Sequence, residues 1–427
     1  MTRILLPCVG LALSLFSSSA YCADADVTVN LNAVWVVTAA ILVFFMQAGF
    51  ALLEAGATRA KNSINVMMKN YMDFCLATMV FWAVGYGVMF GEAKTGWFGT
   101  SDFFLDGASD HDYILLLFQS MFAATAATIV SGAIAERTKF VSYMIAAILI
   151  TAIIYPVYGC WAWNSSGWLA QQGFVDFAGS SVVHSVGGWC ALAAAIIVGP
   201  RLGRFDRETG AAREIPGHNL SLVALGGFIL WMGWFGFNAG STLSASEKIG
   251  GIALNTQLGG CAGALGTLIY CAIFRKPMLL TACVNGSLGG LVAVTAGCAS
   301  MDPRYAILTG FIAGFIILPS TRLLESFRID DVVGAIPVHL VCGIWGTLAA
   351  GLFYRGDLFN LGRVSTQLVG IGAAAAWAFF GSLVLLHLIH LAIGMRVDTS
   401  DEQRGLDFTE HHEVGYPEFH QLTQSFK

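Results

Sequence analysis

The sequence is poor in charge: Asp, Glu, Lys and Arg make up 11% of its 427 residues, against 56% hydrophobic residues. Soluble domains carry about 25% charged residues, so a water-facing surface for a chain of this size is excluded. The ten cysteines include no CxxC pair and no zinc-type spacing. Cys75, Cys190, Cys261, Cys271, Cys283 and Cys342 lie in apolar runs, where a thiol serves as a small core filler. No metal centre or cofactor is expected. There is no basic stripe or basic arm, which argues against a nucleic-acid partner, and no nucleophile–base or metal set, which argues against an enzyme.

What is present is apolar length. The mean hydropathy is +0.70, and 49 glycines accompany it. In lipid, helices gain no hydrophobic drive from one another, and small residues let their backbones approach closely. The pairs Gly259/Gly263 and Gly310/Gly314 have the spacing for that role.

The fold class expected is an all-α integral membrane protein of about eleven transmembrane helices. Spans are predicted near Leu31–Leu53, Val66–Phe90, Tyr113–Ala135, Phe140–Trp163, Gly179–Gly199 and Leu220–Ala239. Five more follow near Ile252–Phe274, Met278–Ser300, Ala306–Leu324, Val332–Phe353 and Val364–Gly394. Each can cross a hydrocarbon core of about 30 Å at about 1.5 Å per residue. Residues 1–23, with Arg3, an apolar core from Ile4 to Phe16 and small residues before Ala20, have the layout of a cleaved signal peptide. The membrane domain then covers 24–395, and 396–427 form a polar tail too short for a catalytic domain.

Alternate loops differ in charge. One set holds Arg59, Lys61, Arg137, Lys139, Arg201, Arg204, Arg207, Arg213, Arg275, Lys276, Arg322, Arg328, Arg396 and Arg404. The other holds only Lys94, Lys248, Arg304, Arg355 and Arg363. The positive-inside rule puts the first set in the cytoplasm, with the mature N-terminus outside and the tail inside a bacterial-type inner membrane.

The most informative pattern is a repeat. Asp176, Gly179, Val183, His184, Val186 and Gly188 recur in type and spacing as Asp331, Gly334, Val338, His339, Val341 and Gly343. The first copy opens the fifth span and the second opens the tenth, so the two helices run in opposite senses, as in inverted-repeat transporters. Eight residues from Asp to His place each imidazole about 12 Å along its helix, near the bilayer midplane. Ionisable residues at that depth mark functional sites by default. A matched pair predicts a pore lined by His184 and His339. Zinc binding by this pair with Cys342 is open on residue types, but no acidic or supporting pattern accompanies it. Asp176 and Asp331 are candidate helix caps. The string Val84-Gly85-Tyr86-Gly87 matches a potassium-filter sequence, yet it falls inside a span with no pore helix before it.

Four segments carry a resemblance to the ammonium transporter (Amt/Mep/Rh) family, bacterial Amt type. They are 118–124, Asp176-Phe177-Ala178-Gly179 through His184, 234–241, and Ile329-Asp330-Asp331 through His339. The resemblance implies eleven helices with two inverted five-helix repeats. It implies an outer ammonium-recruitment site of Phe118, Phe122, Trp163 and Ser241, supported by Asp176, where aromatic faces attract a cation for about 0.5–2 kcal/mol each. Phe122 and Phe237 are similar to the family's stacked gate, and His184 and His339 to its twin histidines. After Trp163 comes Asn164-Ser165-Ser166-Gly167 in place of the usual glycine run, one residue longer to Asp176, which leaves Trp161 and Trp168 as alternatives. The tail residues Gly405, Leu406, Asp407, His411, Glu413 and Tyr416 resemble the segment through which PII-type signal proteins block the cytoplasmic mouth. The family is trimeric, with one pore per subunit. Transport of ammonium is the function expected; an ammonium sensor and an electroneutral ammonia or carbon dioxide gas channel are the alternatives.

Overall fold

The computed structural model describes the backbone of residues 5–418 and the side chains of 27–418. The signal segment expected over 1–23 lies outside the residues whose side chains are described, as does the end of the tail beyond 418. Among the described residues no strand occurs, only two isolated bridges, Thr138 with Arg396 and Phe205 with Ala212.

Among the described residues nine helices are long and apolar enough to cross a membrane: α1 (Leu5–Ala57, of which Val27–Ala57 is the apolar span), α2 (Ala60–Phe90), α3 (Asp110–Ala133), α4 (Phe140–Gln171), α5 (Ser180–Val198), α6 (Leu220–Gly240), α7 (Lys248–Ile273), α9 (Pro303–Ser326) and α11 (Leu361–Ile393). Two shorter apolar helices, α8 (Leu280–Thr295) and α10 (Ile336–Leu352), complete the eleven. The predicted spans all correspond, with ends shifted by a few residues. The tail adds α12 (Thr399–Arg404) and α13 (Leu406–His411).

The repeat organises the packing. The opening helices of the two halves, α1 and α6, lie along each other, and α5 meets α10. The glycine pairs on α7 and α9 face one another. A Cβ added at Gly310 would lie 2.2 Å from the Gly259 carbonyl, and one at Gly314 would lie closer still to that of Gly263. Only glycine permits that crossing.

The basic loops converge on one face. The Glu136 carboxylate holds Arg59 and lies 3.5 Å from Arg201 Nη1. Arg201 donates to both oxygens of Asp330, at 2.8 and 3.0 Å, and Arg204 adds a contact at 3.2 Å. Burial alone would raise the Asp330 carboxyl, but the hydrogen bonds and charge of Arg201 with the charge of Arg137 hold it well below the usual carboxylate range. The tail docks on the same face. Asp407 Oδ1 accepts from Asn65 N (2.8 Å), Leu406 N donates to Asn62 Oδ1 (2.9 Å), and Asn65 Nδ2 meets His411 Nε2 (2.9 Å).

The string Val84-Gly85-Tyr86-Gly87 is helical, straddling a π-helical turn at Phe81–Gly85 and the α-helical end of α2. No filter-like loop of carbonyls forms there.

Candidate functional site

Both histidine helices open the same way. The carboxylate of Asp176 accepts from Gly179 N (2.9 Å), Ser181 N (2.9 Å) and Val182 N (2.8 Å). That of Asp331 accepts from Gly334 N (3.1 Å), Ala335 N (3.0 Å) and Ile336 N (2.7 Å). Each satisfies the orphan amides of a helix start. Gly179 and Gly334 make the turn between cap and helix at φ +111° and +81°, a conformation that suits glycine. The first helical turns are π-helical in both, Ser180–Ser185 and Ile336–Val341, a distortion that often marks functional sites. The last motif glycines weld the helices together. A Cβ at Gly188 would come 2.6 Å from Leu340 N, and one at Gly343 would come 2.6 Å from Ser180 O. Three of the six repeated residues thus have a geometric reason, and the His pair is a fourth.

The two imidazoles meet. His184 and His339 have ring centroids 5.2 Å apart at 25°, and their Nδ1 atoms are 3.2 Å apart. Both are buried, His184 fully and His339 to within 5%. His184 Nε2 has no hydrogen-bond partner among the described residues. No group of His, Cys, Asp and Glu able to hold a metal ion occurs among the described residues; Cys342 directs its thiol to the Ala313 carbonyl instead.

Above the pair stand the aromatic residues. Phe237 stacks on His184 at 5.3 Å, and Phe122 stacks on Phe237 at 4.0 Å and 26°. Phe118 lies 4.7 Å and Trp163 6.2 Å from Phe122. Trp163, rather than Trp161 or Trp168, is the tryptophan against this group. Its Nε1 donates to the Asp176 carbonyl at 2.6 Å. Trp161 and Trp168 instead pack on Trp97 and on each other. After Trp163 the chain turns at Asn164, whose Nδ2 donates to the carbonyls of Met89 and Gly91, at 3.1 and 2.9 Å. Ser241 Oγ donates to the Phe237 carbonyl (2.8 Å), which leaves its lone pairs to accept a bond from a guest.

The structure therefore lines up Trp163, Phe118 and Phe122, then Phe237, then His184 and His339; the Asp176 carbonyl holds Trp163 and its carboxylate caps the His184 helix, while Ser241 joins them only through the Phe237 carbonyl. Sequence reading passed over Trp234, which stacks on His184 at 5.1 Å and is held by a 2.9 Å bond to Thr295 Oγ1. The signal was available, since Trp234 precedes Phe237 by three and shares its helix face.

An eleven-helix membrane bundle with inverted halves and a buried polar pair under stacked aromatic rings defines a carrier or channel for a small solute. The chain belongs to the Ammonium Transporter Family, whose sequence profile matches residues 34–416. It is 46% identical over 415 residues to "Ammonium transporter Amt2" of Archaeoglobus fulgidus, covering 90% of this chain and 88% of that one. Among solved structures it is similar to "Sensor Amt Protein" (TM-score 0.87, 37% identity, covering 91% of this chain and all, 100%, of that one). It is also similar to Mep2 of Candida albicans (TM-score 0.80, 27% identity, 87% of each chain). The family and its named relatives are transporters, not enzymes.

Proposed function

We propose that this protein transports ammonium by recruiting the cation at Phe118, Phe122, Trp163 and Ser241, removing its proton near the Phe122–Phe237 gate, and conducting ammonia past His184 and His339. The observation that carries the reading is the unbroken sequence of contacts from Trp163 through the stacked phenyl pair to the stacked imidazoles. Charge energetics support deprotonation. Removing a proton at pH 7 from an alkylammonium of pKa about 10.4 costs ~4–5 kcal/mol, whereas a bare cation in an unpartnered low-dielectric tube is idealised at tens of kcal/mol. Asp176 holds the recruitment site together through Trp163 and the start of α5.

The same reading makes the basic face cytoplasmic, places the mature N-terminus outside an inner membrane after removal of 1–23, and assembles three copies with one pore each. The tail, docked through Asp407 and His411, is then the segment a PII-type protein engages. The likeness to a protein called a sensor, together with this docked tail, favours sensing as the second reading.

Ammonium flux and current in proteoliposomes test the proposal. Ammonium-dependent flux supports transport, and flux that follows dissolved gas without charge supports a gas channel. Tight binding at the outer site with no flux at all would leave the sensor.

A further inference from the structure

The basic-face half of the membrane domain holds ionisable side chains that the pathway above does not use. Glu54, near the end of α1, is 1% exposed and lines a cavity of about 20 Å³ together with Phe50, Ile129, Asn285, Val338 and His339. That is room for about one water-sized guest. The cavity lies between His339 and the basic-face opening of α10, where Val333, Gly334 and Ala335 also border it. The Phe50 ring is 6.2 Å from that of His339, so a guest here would meet a carboxylate, an imidazole and an aromatic face.

Glu54 forms no ion pair within 4.0 Å among the described residues. Asn70 Nδ2 donates to its Oε2 (3.1 Å), and Thr128 Oγ1 donates to Asn70 Oδ1 (2.7 Å). The charged and titratable groups around it come from every neighbouring element: Lys69 and Asp73 on α2, Tyr143 on α4, and Asp331 and His339 from the second half. Lys69 Nζ, Asp73 Oδ1 and Ser131 Oγ are buried without a hydrogen-bond partner among the described residues. A carboxylate in hydrocarbon is costly and functional by default, and one that lacks a paired cation favours taking up a proton or a cationic guest.

We propose that this cavity is an inner ammonium site in which Glu54 carries the proton. In the inward direction, the Glu54 O–H bond breaks as the nitrogen lone pair of ammonia arriving from His339 takes the proton, leaving ammonium beside a carboxylate. Ammonium then leaves to the basic face, and solvent hydronium restores the O–H. In the outward direction the steps reverse: ammonium enters, gives a proton to the carboxylate and continues as ammonia. The two mouths thus use different chemistry, aromatic faces outside and a carboxylate inside. This inference rests on the transport reading above.

The test is a comparison of sides, using oriented proteoliposomes and ammonium as the probe. Glu54→Gln, which keeps an acceptor for Asn70, is expected to raise the KM for ammonium at the basic face at least about tenfold and leave the outer KM unchanged. Glu54→Asp is expected to restore most of the loss. A Glu54→Gln protein whose two KM values are both unchanged, or move together, overturns the site while leaving transport intact. Wild-type protein with no flux from either side overturns the transport reading itself, and this inference with it. Infrared difference spectra of the wild type are independent of any variant's folding. Ammonia should bleach a protonated-carboxyl band, and absence of that bleach overturns the proton role.

Discussion

The two halves of the molecule share a frame and differ in what surrounds it. Asp176 and Asp331 cap their helices through three amides each, Gly179 and Gly334 turn the chain with positive φ, and Gly188 and Gly343 bring the helices together. Around His184 the neighbours are aromatic: Phe237 and Trp234 on its own side, and Phe122 beyond. On the His339 side they are Phe50, Asn285 and the Glu54 carboxylate. Before the cap the contrast repeats, with Val175 in the first half and Asp330, bound by Arg201, in the second. The repeated string accounts for the geometry where α5 and α10 meet. The chemistry of the mouths comes from helices and loops outside the repeated string.

The largest expected effects test whether the shared frame is functionally even. His184→Ala and His339→Ala should each abolish ammonium-selective flux or admit charged species, with folding and assembly retained. Radiolabelled methylammonium uptake per folded protein measures this. Loss of folding yield with normal flux per surviving molecule would assign the pair to core packing instead.

Caps should break the evenness. Asp176→Ala keeps the backbone carbonyl that receives Trp163 but removes the carboxylate that caps α5 and fixes that carbonyl in place, and uptake should fall to background. Asp331→Ala should cost a cap, about 1 kcal/mol, seen as a lower unfolding temperature with substantial uptake remaining. Equal loss of uptake in the two variants would erase the assigned difference.

Phe237→Ala should have a smaller effect than Asp176→Ala, since the ring is a barrier rather than a scaffold. Transport should persist with poorer rejection of potassium, read as potassium inhibition of methylammonium uptake. In the wild type potassium should compete poorly. Gly188→Ala and Gly343→Ala probe the frame alone. Each inserts a Cβ about 2.6 Å from the facing helix and should cost ~1–3 kcal/mol, to a similar extent in both halves.

The smallest effect concerns the tail. Burial holds His411 below its ordinary 6.5, so docking favours the neutral ring. Above pH 6.5 that preference costs nothing. As pH falls below it, a released tail takes up the proton first and docking through Asn65 weakens. Limited proteolysis of the tail should therefore quicken modestly in mild acid, and His411→Gln should flatten that dependence.

Much of this was legible in residue order. Apolar runs marked the eleven spans because lipid leaves few alternatives, and the repeated string placed both histidines because helix rise converts spacing into depth. Other features depended on the third dimension. Three tryptophans within eight positions are equivalent to a hydropathy reading, and only the path of the Asn164 turn puts Trp163 on Phe122. The π-helical openings leave no compositional trace. Glu54 was missed because a charged residue after Leu53 reads as the end of a span, whereas α1 continues to Ala57 and carries the carboxylate beneath the pore.

The glycine weld between α5 and α10, together with the Arg201–Asp330 bridge, bears on how a solute can cross. Alternating access by rocking requires the two halves to part at their contact. Here that contact is backbone against backbone at the centre, and it is clamped by buried ion pairs at one end. That geometry favours a scaffold that holds still while solute passes. Under the transport reading proposed above, passage would be timed by small excursions of the Phe122 and Phe237 rings instead of microsecond-to-millisecond domain motion.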